Sequence, residues 1–263
     1  LFLSVCPAQA ELIFLDNYTG MATGSDLKDI QRTPTVGPAN SAEWISHGTS
    51  STVNAAASLD EMSAGVRVPV GSTMDYLARL GTEYGGGSFL VHWDIIVDQV
   101  SVSTDYGMFT VRFPKEESMQ ILFGFLNDGR IIRFDKDPHD YGTASIVNVG
   151  TFEADTRYNI SLLYDLVGDK YSVSINGVDI FTNVAIPDYL DRISINQFGF
   201  DINQSMTVDG YAPQGNAYYV DNINFTRVEA VPEPSPILLI ALGLAGLFMY
   251  RKAIIGMKFR RFR

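Results

Sequence analysis

The feature that most limits what this chain can become is a two-residue alternation closed by Asn-Gly. Tyr171, Val173 and Ile175 alternate with Ser172 and Ser174, Asn176-Gly177 follows, and Val178-Asp179-Ile180-Phe181 comes next. Successive side chains of a strand point to opposite faces, so this alternation puts the apolar set on one side. Asn-Gly supplies the two positive-φ residues of a type I′ turn, whose twist suits a hairpin. The segment predicts a β-hairpin with one buried face.

The same pattern recurs. Phe109, Val111 and Phe113 alternate with Thr110 and Arg112, and Tyr158, Ile160, Leu162 and Tyr164 alternate with the residues between them. Phe89 to Val97 is dense in branched and aromatic side chains, the types that suit a pleated surface. Ile121 to Leu126 is apolar or glycine throughout, as expected of a strand in the middle of a sheet, and Asn127-Asp128-Gly129 signals a hairpin returning through Ile131 to Phe134. Ile193 to Ile195, Phe198 to Phe200 and Ala217 to Phe225 complete the strand candidates. Asp75 to Leu80 reads as one short helical turn, Gly85-Gly86-Gly87 as a flexible loop, and Gly20 to Ser63 as long loops with a few short strands. Many strands separated by turns, without a long helix, predict an all-β sandwich or barrel.

The two ends have a different character. Leu1 to Pro7 is mostly apolar and is followed by Ala8-Gln9-Ala10, small residues at the −3 and −1 positions that a signal peptidase requires. Residues 1–10 are therefore expected to be the remnant of a signal peptide, cleaved after Ala10, and cleavage removes Cys6, the one cysteine of the chain. A mature protein without thiols has no disulfides and depends on its core for stability.

At the other end, Val231-Pro232-Glu233-Pro234-Ser235-Pro236 excludes helix and central strand, because proline lacks the donor and fixes φ. The uncharged apolar run Ile237 to Tyr250 then predicts a single transmembrane helix over residues 236–250, although fourteen helical residues rise only about 21 Å against a hydrocarbon core of about 30 Å. Arg251, Lys252, Lys258, Arg260, Arg261 and Arg263 follow, a basic anchor expected to stay on the cytoplasmic side and leave the body outside. Residues 11–230 are then the ectodomain, with 13 basic and 29 acidic side chains, a net of −16. Such a body argues against nucleic acid, whose phosphates require Lys and Arg.

Pro-Glu-Pro, a short apolar run and a basic cluster in that order resemble the PEP-CTERM sorting domain. The resemblance covers residues 231–263, with its sorting motif at Val231, Pro232, Glu233, Pro234 and Ser235. It implies export by a bacterium that makes exopolysaccharide, processing by an exosortase-type membrane protease, and residence at the inner membrane or release to the cell surface or extracellular matrix. Separately, Tyr158-Asn159-Ile160-Ser161-Leu162-Leu163-Tyr164-Asp165, then Tyr171 to Gly177, then Tyr219-Val220-Asp221-Asn222-Ile223 resemble concanavalin A-like lectin and glucanase jelly rolls, laminin-G-like modules included. This resemblance, over residues 89–228, implies a jelly-roll β-sandwich. It also implies a structural calcium ion between an acid near the first strand and one in the last, positions taken here by Asp16 and Asp221. The alternative for Asp221-Asn222 is a bulge cap with no metal.

The catalytic set expected of a hydrolase on that fold is missing. Asp94 and Asp98 would lie about 13 Å apart along one strand face, farther than either glycosidase mechanism uses. His47, His92 and His139 have no zinc-ligand spacing, and His92 reads as a satisfied strand residue. Glycan binding would need exposed aromatic rings beside amides and carboxylates. Of Trp44, Trp93, Tyr84, Tyr141, Tyr189 and Tyr211, Tyr141 and Tyr211 stand in polar, Gly-containing stretches and are the candidates, whereas Trp93 reads as core. The expectation is a non-enzymatic structural or glycan-associating module, with a carbohydrate-active enzyme or a ligand-free matrix protein as alternatives.

Overall fold

The computed structural model describes residues 10–46, 54–57, 64–68, 74–97, 108–112, 121–126, 128–135, 146–186, 194–202 and 218–228. In chain order the strands are β1 (Ala10–Asp16), β2 (Ile30–Arg32), β3 (Ala42–Ser46), β4 (Asn54–Ala57), β5 (Ala64–Val68), β6 (Met74–Gly85), β7 (Ser88–Val97) and β8 (Met108–Arg112). They continue with β9 (Ile121–Leu126), β10 (Arg130–Phe134), β11 (Ile146–Thr151), β12 (Arg157–Asp165), β13 (Lys170–Ile175), β14 (Val178–Ala185), β15 (Ser194–Ile202) and β16 (Tyr218–Val228). No helix long and apolar enough to cross a membrane occurs among the described residues. The tail from residue 231, with the expected span over 236–250, lies outside them, as do residues 1–9.

Two eight-stranded sheets form. The first runs β14-β13-β12-β7-β16-β5-β4, with β1 also on β16, and the second runs β11-β10-β9-β8-β15-β6-β3-β2. All of the ladders are antiparallel. Their inner faces meet in an aromatic core. Trp93 of the first sheet lies 5.9 Å from Phe123, 6.2 Å from Phe198 and 5.2 Å from Phe200 of the second, centroid to centroid. Tilted contacts at these distances suit aromatic quadrupoles better than face-to-face stacking. The chain is therefore an all-β sandwich.

The alternations behave as read. Ile160, Leu162 and Tyr164 of β12, and Tyr171, Val173 and Ile175 of β13, are buried. Asn176 and Gly177 have φ of 52° and 75°, both central residues of the turn between β13 and β14 being left-handed. Two readings are corrected. Asp75 to Leu80 is strand, because Met74, Tyr76, Ala78 and Leu80 alternate into the core. Gly85-Gly86-Gly87 is no loose loop: it ends β6 in one sheet and leads within two residues into β7 in the other, with Gly86 at φ 68° and Gly87 at φ 86°. Only glycine enters that region without steric cost.

Strand β16 organises the first sheet. One edge pairs along β7, while the other pairs with β5 through Tyr218–Val220 and with β1 through Ile223–Val228. At the changeover the β7 register slips by one residue, from Asp221↔Asp94 to Asn224↔His92, and Asn222 has a φ of 53°. This is a β-bulge, with Asn in the left-handed region that its short polar side chain tolerates.

Candidate functional site

The bulge brings together the residues that sequence reading assigned to calcium, but not as a cation site. Asp16 is 1% exposed, and its carboxylate accepts hydrogen bonds from both terminal nitrogens of Arg32, one of them at 2.8 Å, and from the Tyr76 hydroxyl at 2.8 Å. The Arg32 guanidinium also lies 4.4 Å from the Tyr18 ring centroid, and Trp44 Nε1 donates to the Tyr18 hydroxyl at 3.2 Å. Burial, the neighbouring Asp16 carboxylate and other charges push the Tyr18 and Tyr76 phenols well above their ordinary value. Calcium takes six to eight oxygen ligands. Here a forked cation already holds the one carboxylate in the bidentate geometry that Arg favours. Asp221 is buried on β16, with Oδ1 accepting from the Asn222 amide at 2.7 Å. Among the described residues no group of three or more His, Cys, Asp or Glu could hold a metal. The donor set does not fit calcium; it is an ion-paired clamp joining β1 of one sheet to β2 and β6 of the other.

The outer face of the first sheet carries the densest polar array. Asp94 on β7 accepts from Arg157 Nη2 at 2.5 Å, Asn159 Nδ2 at 2.9 Å and Asn222 Nδ2 at 2.7 Å. Burial raises its pKa, but hydrogen bonds from Arg157, Asn222 and Asn159 outweigh that and hold it below the usual carboxylate range. One row along the sheet runs Asp179, Ser174, Ser161, His92, Asn224. Within it, His92 Nδ1 is 2.7 Å from Ser161 Oγ, and burial pushes the imidazole below its ordinary pKa. The next row runs Asn159, Asp94, Asp221, and the one beyond it Arg157, Ile96, Tyr219, Arg67. Arg67 Nε donates to the Tyr219 hydroxyl at 2.9 Å. Gly65, beside Asp221, leaves a shallow depression bounded by Asp94, Arg157 and Tyr219.

The second sheet bears a distinct pocket. β6 and β15 pair as Ile195↔Tyr84 and then Gln197↔Arg79, so β6 advances five residues while β15 advances two. The three extra residues bow out and leave a cavity of about 250 Å³ lined by Arg79, Gly81, Thr82, Glu83, Asn196 and Gln197. Arg79 Nη1 is 2.9 Å from Glu43 Oε2, and the Ser194 hydroxyl donates to Glu83. A third polar feature, Asp75 opposite Asp201 on the same two strands, is 2% and 0% exposed, with each side chain engaged by neighbours.

Of the candidates read from sequence, Asp16 and Asp221 are placed as above, Trp44 and Trp93 are core, and Tyr84 is half-buried. Tyr141, Tyr189, Tyr211, the motif Val231 to Ser235 and the basic residues of 251–263 lie outside the described residues. Sequence reading placed Asp221-Asn222 at a bulge but missed Asn159, Arg157 and the pocket. Asn159 and Arg157 occupy the outward positions of an alternating strand, but only cross-strand register gathers them on Asp94.

The family described as the PEP-CTERM protein-sorting motif matches residues 230–252. The chain carries a PEP-CTERM sorting motif. That motif implies export, processing by exosortase, a membrane protein, and membrane anchoring or sorting to the cell surface. No curated protein matches the sequence. Among solved structures, the binding domain of botulinum neurotoxin serotype D is similar over 89% of this chain and 51% of its own, at 12% identity and a TM-score of 0.52. The binding domain of Paraclostridial Mosquitocidal Protein 1 is similar over 88% of this chain and 51% of its own, at 13% identity and a TM-score of 0.51. A botulinum neurotoxin type C structure, whose cell entry depends on interaction with two ganglioside molecules, is similar over 89% and 51%, at 14% identity and a TM-score of 0.50. The chain spans about half the length of these solved chains. Likeness at such identity is likeness of fold, and it places the sandwich with jelly rolls.

Proposed function

We propose that this is an exosortase substrate whose jelly roll works outside the cytoplasm as a non-enzymatic, glycan-associating module of the envelope or extracellular matrix. The observation that carries the reading is continuity: only Glu229 separates Val228, the end of β16, from the sorting match beginning at residue 230. The sorting segment follows directly on the last strand, so delivery of the tail delivers the sandwich. Residues 236–250 retain the chain in the inner membrane until processing, and the basic residues behind them stay in the cytoplasm.

Three things support glycan association over catalysis. Two of the solved chains similar in fold are binding domains, and a third belongs to a toxin whose cell entry depends on interaction with two ganglioside molecules. The outer face of the first sheet presents Asn, Ser, His and Tyr side chains in rows, a surface of hydroxyls and amides suited to an exopolysaccharide. Asp94, its central carboxylate, already accepts three hydrogen bonds within the fold, which suits a scaffold better than a proton-transfer group.

The test has two parts. Expressed with and without an exosortase, the chain should lose its C-terminal tail only in the presence of the enzyme; equal processing in both strains removes the sorting reading. On a glycan array, the full chain should bind polysaccharide without releasing sugar. Sugar release would revive the enzyme reading, and absence of all binding would leave a ligand-free matrix protein.

A further inference from the structure

We infer that the bowed segment of β6 between Arg79 and Tyr84 forms a pocket for one neutral, polyhydroxylated ring, a single pyranose residue of an uncharged glycan. This rests on the glycan-associating reading and adds a place and a chemical class. The place is on the second sheet, away from the Asp94 face.

Size comes first. Pockets for drug-sized ligands run about 300–1,000 Å³. A depression of about 250 Å³, open to solvent, has room for one ring between its walls. The lining gives the class. Arg79 offers guanidinium donors, Glu83 a carboxylate acceptor, Thr82 a hydroxyl, and Asn196 and Gln197 an amide each. A sugar hydroxyl donates and accepts at once, so it is matched by amides and hydroxyls, which do both, and by a donor facing an acceptor. Thr82 and Asn196 are exposed and Gln197 is half-buried, which leaves their polar groups within reach of a ligand.

Charge narrows the class further. Arg79 is paired with Glu43 at 2.9 Å, and Glu83 adds a second carboxylate. These three groups sum to one net negative charge, which opposes uronates, sialic acids and phosphates. The walls are also fixed before binding. The Arg79 amide donates to Ser41 O at 2.8 Å, Ser194 holds Glu83, and Gly81 at φ 76° sits so close to Pro38 that a Cβ there would overlap its ring. A site that need not order itself loses less on binding.

The experiment is saturation-transfer NMR on the full chain in detergent micelles. The probes are the methyl glycosides of glucose, mannose, galactose and N-acetylglucosamine, with methyl glucuronide and sialic acid as charged counterparts. At least one neutral glycoside should bind and the charged ones should not. Asn196→Ala and Gln197→Ala should each weaken binding about threefold to tenfold. Thr82→Trp, which fills the cavity, should abolish it, and all three variants should melt as the parent does. Binding that survives all three variants overturns the pocket while leaving glycan association standing. A preference for the charged probes overturns the class. No binding of any probe, with polysaccharide still bound on the array, overturns the pocket alone, and loss of both signals sinks the glycan reading with it.

Discussion

Replacing Arg32 by Met should destabilise the sandwich far more than loss of an ordinary ion pair. Arg32 is nearly buried, and its partner Asp16 is 1% exposed, with both carboxylate oxygens committed to the guanidinium and one also to Tyr76. Met preserves most of the side-chain volume but removes the countercharge, leaving a carboxylate in the interior with one phenol to solvate it. Breaking a buried pair on one side costs about 3–5 kcal/mol. For a domain of this size each kcal/mol shifts the melting point by about 2–4 °C, so a drop of about 6–20 °C is expected. Urea unfolding followed by tryptophan fluorescence reads it directly, because Trp44 is hydrogen-bonded to Tyr18 in the same cluster. In the double variant Asp16→Asn with Arg32→Met, much of the loss should return, and Arg32→Lys should recover only part, since an ammonium cannot form the fork. A coupling below about 1 kcal/mol, the range of exposed pairs, would refute a buried clamp between the sheets. Calcium added to the parent protein should leave the midpoint where it is; a rise would mean that a cation displaces Arg32.

Three other expectations follow from the same geometry. Gly81→Ala combines a φ of 76° with overlap on Pro38 and should cost about 1–3 kcal/mol, read as a lower melting temperature. Alkaline unfolding should be cooperative: Tyr18 and Tyr76 are raised well above 10.0 and Tyr171 is pushed up by burial to about 12, so the unfolded chain ionises first. Stability is therefore full below pH 10 and falls as the pH rises through 12, with phenolate absorbance appearing together with loss of circular dichroism. On the acid side Asp94 is held below 3.8, so its contribution is present above that pH and lost as the pH falls further. Arg157→Met should remove about 1–2 kcal/mol at neutral pH and flatten this acid limb, which unfolding midpoints measured from pH 7 down to pH 3 would show.

Local chemistry explains how much of the fold was legible. The hairpin at Asn176-Gly177 could be read because turn type and strand face are properties of neighbouring residues. Asp75 to Leu80 was misread because six residues with mixed polarity fit one helical turn as well as half a strand; the tie was broken by β3 and β15, which pair with it from distant parts of the chain. The glycines at 85–87 were read as looseness because nothing local says that the strands on either side belong to different sheets. The clamp that holds Asp16 was hidden for the same reason. Asp16 and Asp221 do come to the same bulge region, as matching positions implied, but Arg32, sixteen residues from Asp16, reaches back across the sandwich and takes the carboxylate.

What the sequence determined by itself was class and destination. Period-2 alternation with turn residues specifies strands, and a Pro-Glu-Pro segment, apolar run and basic cluster specify a sorting route, because each is a short-range pattern. The sites were decided by tertiary structure alone. Asp94 becomes a hub only when β12, β7 and β16 bring Arg157, Asn159 and Asn222 to it, and the β6 pocket exists only because β6 runs through four residues, Leu80 to Glu83, where β15 has Asn196 alone. Register between strands far apart in the chain is set by the packing of the whole core, and no window of sequence contains that information.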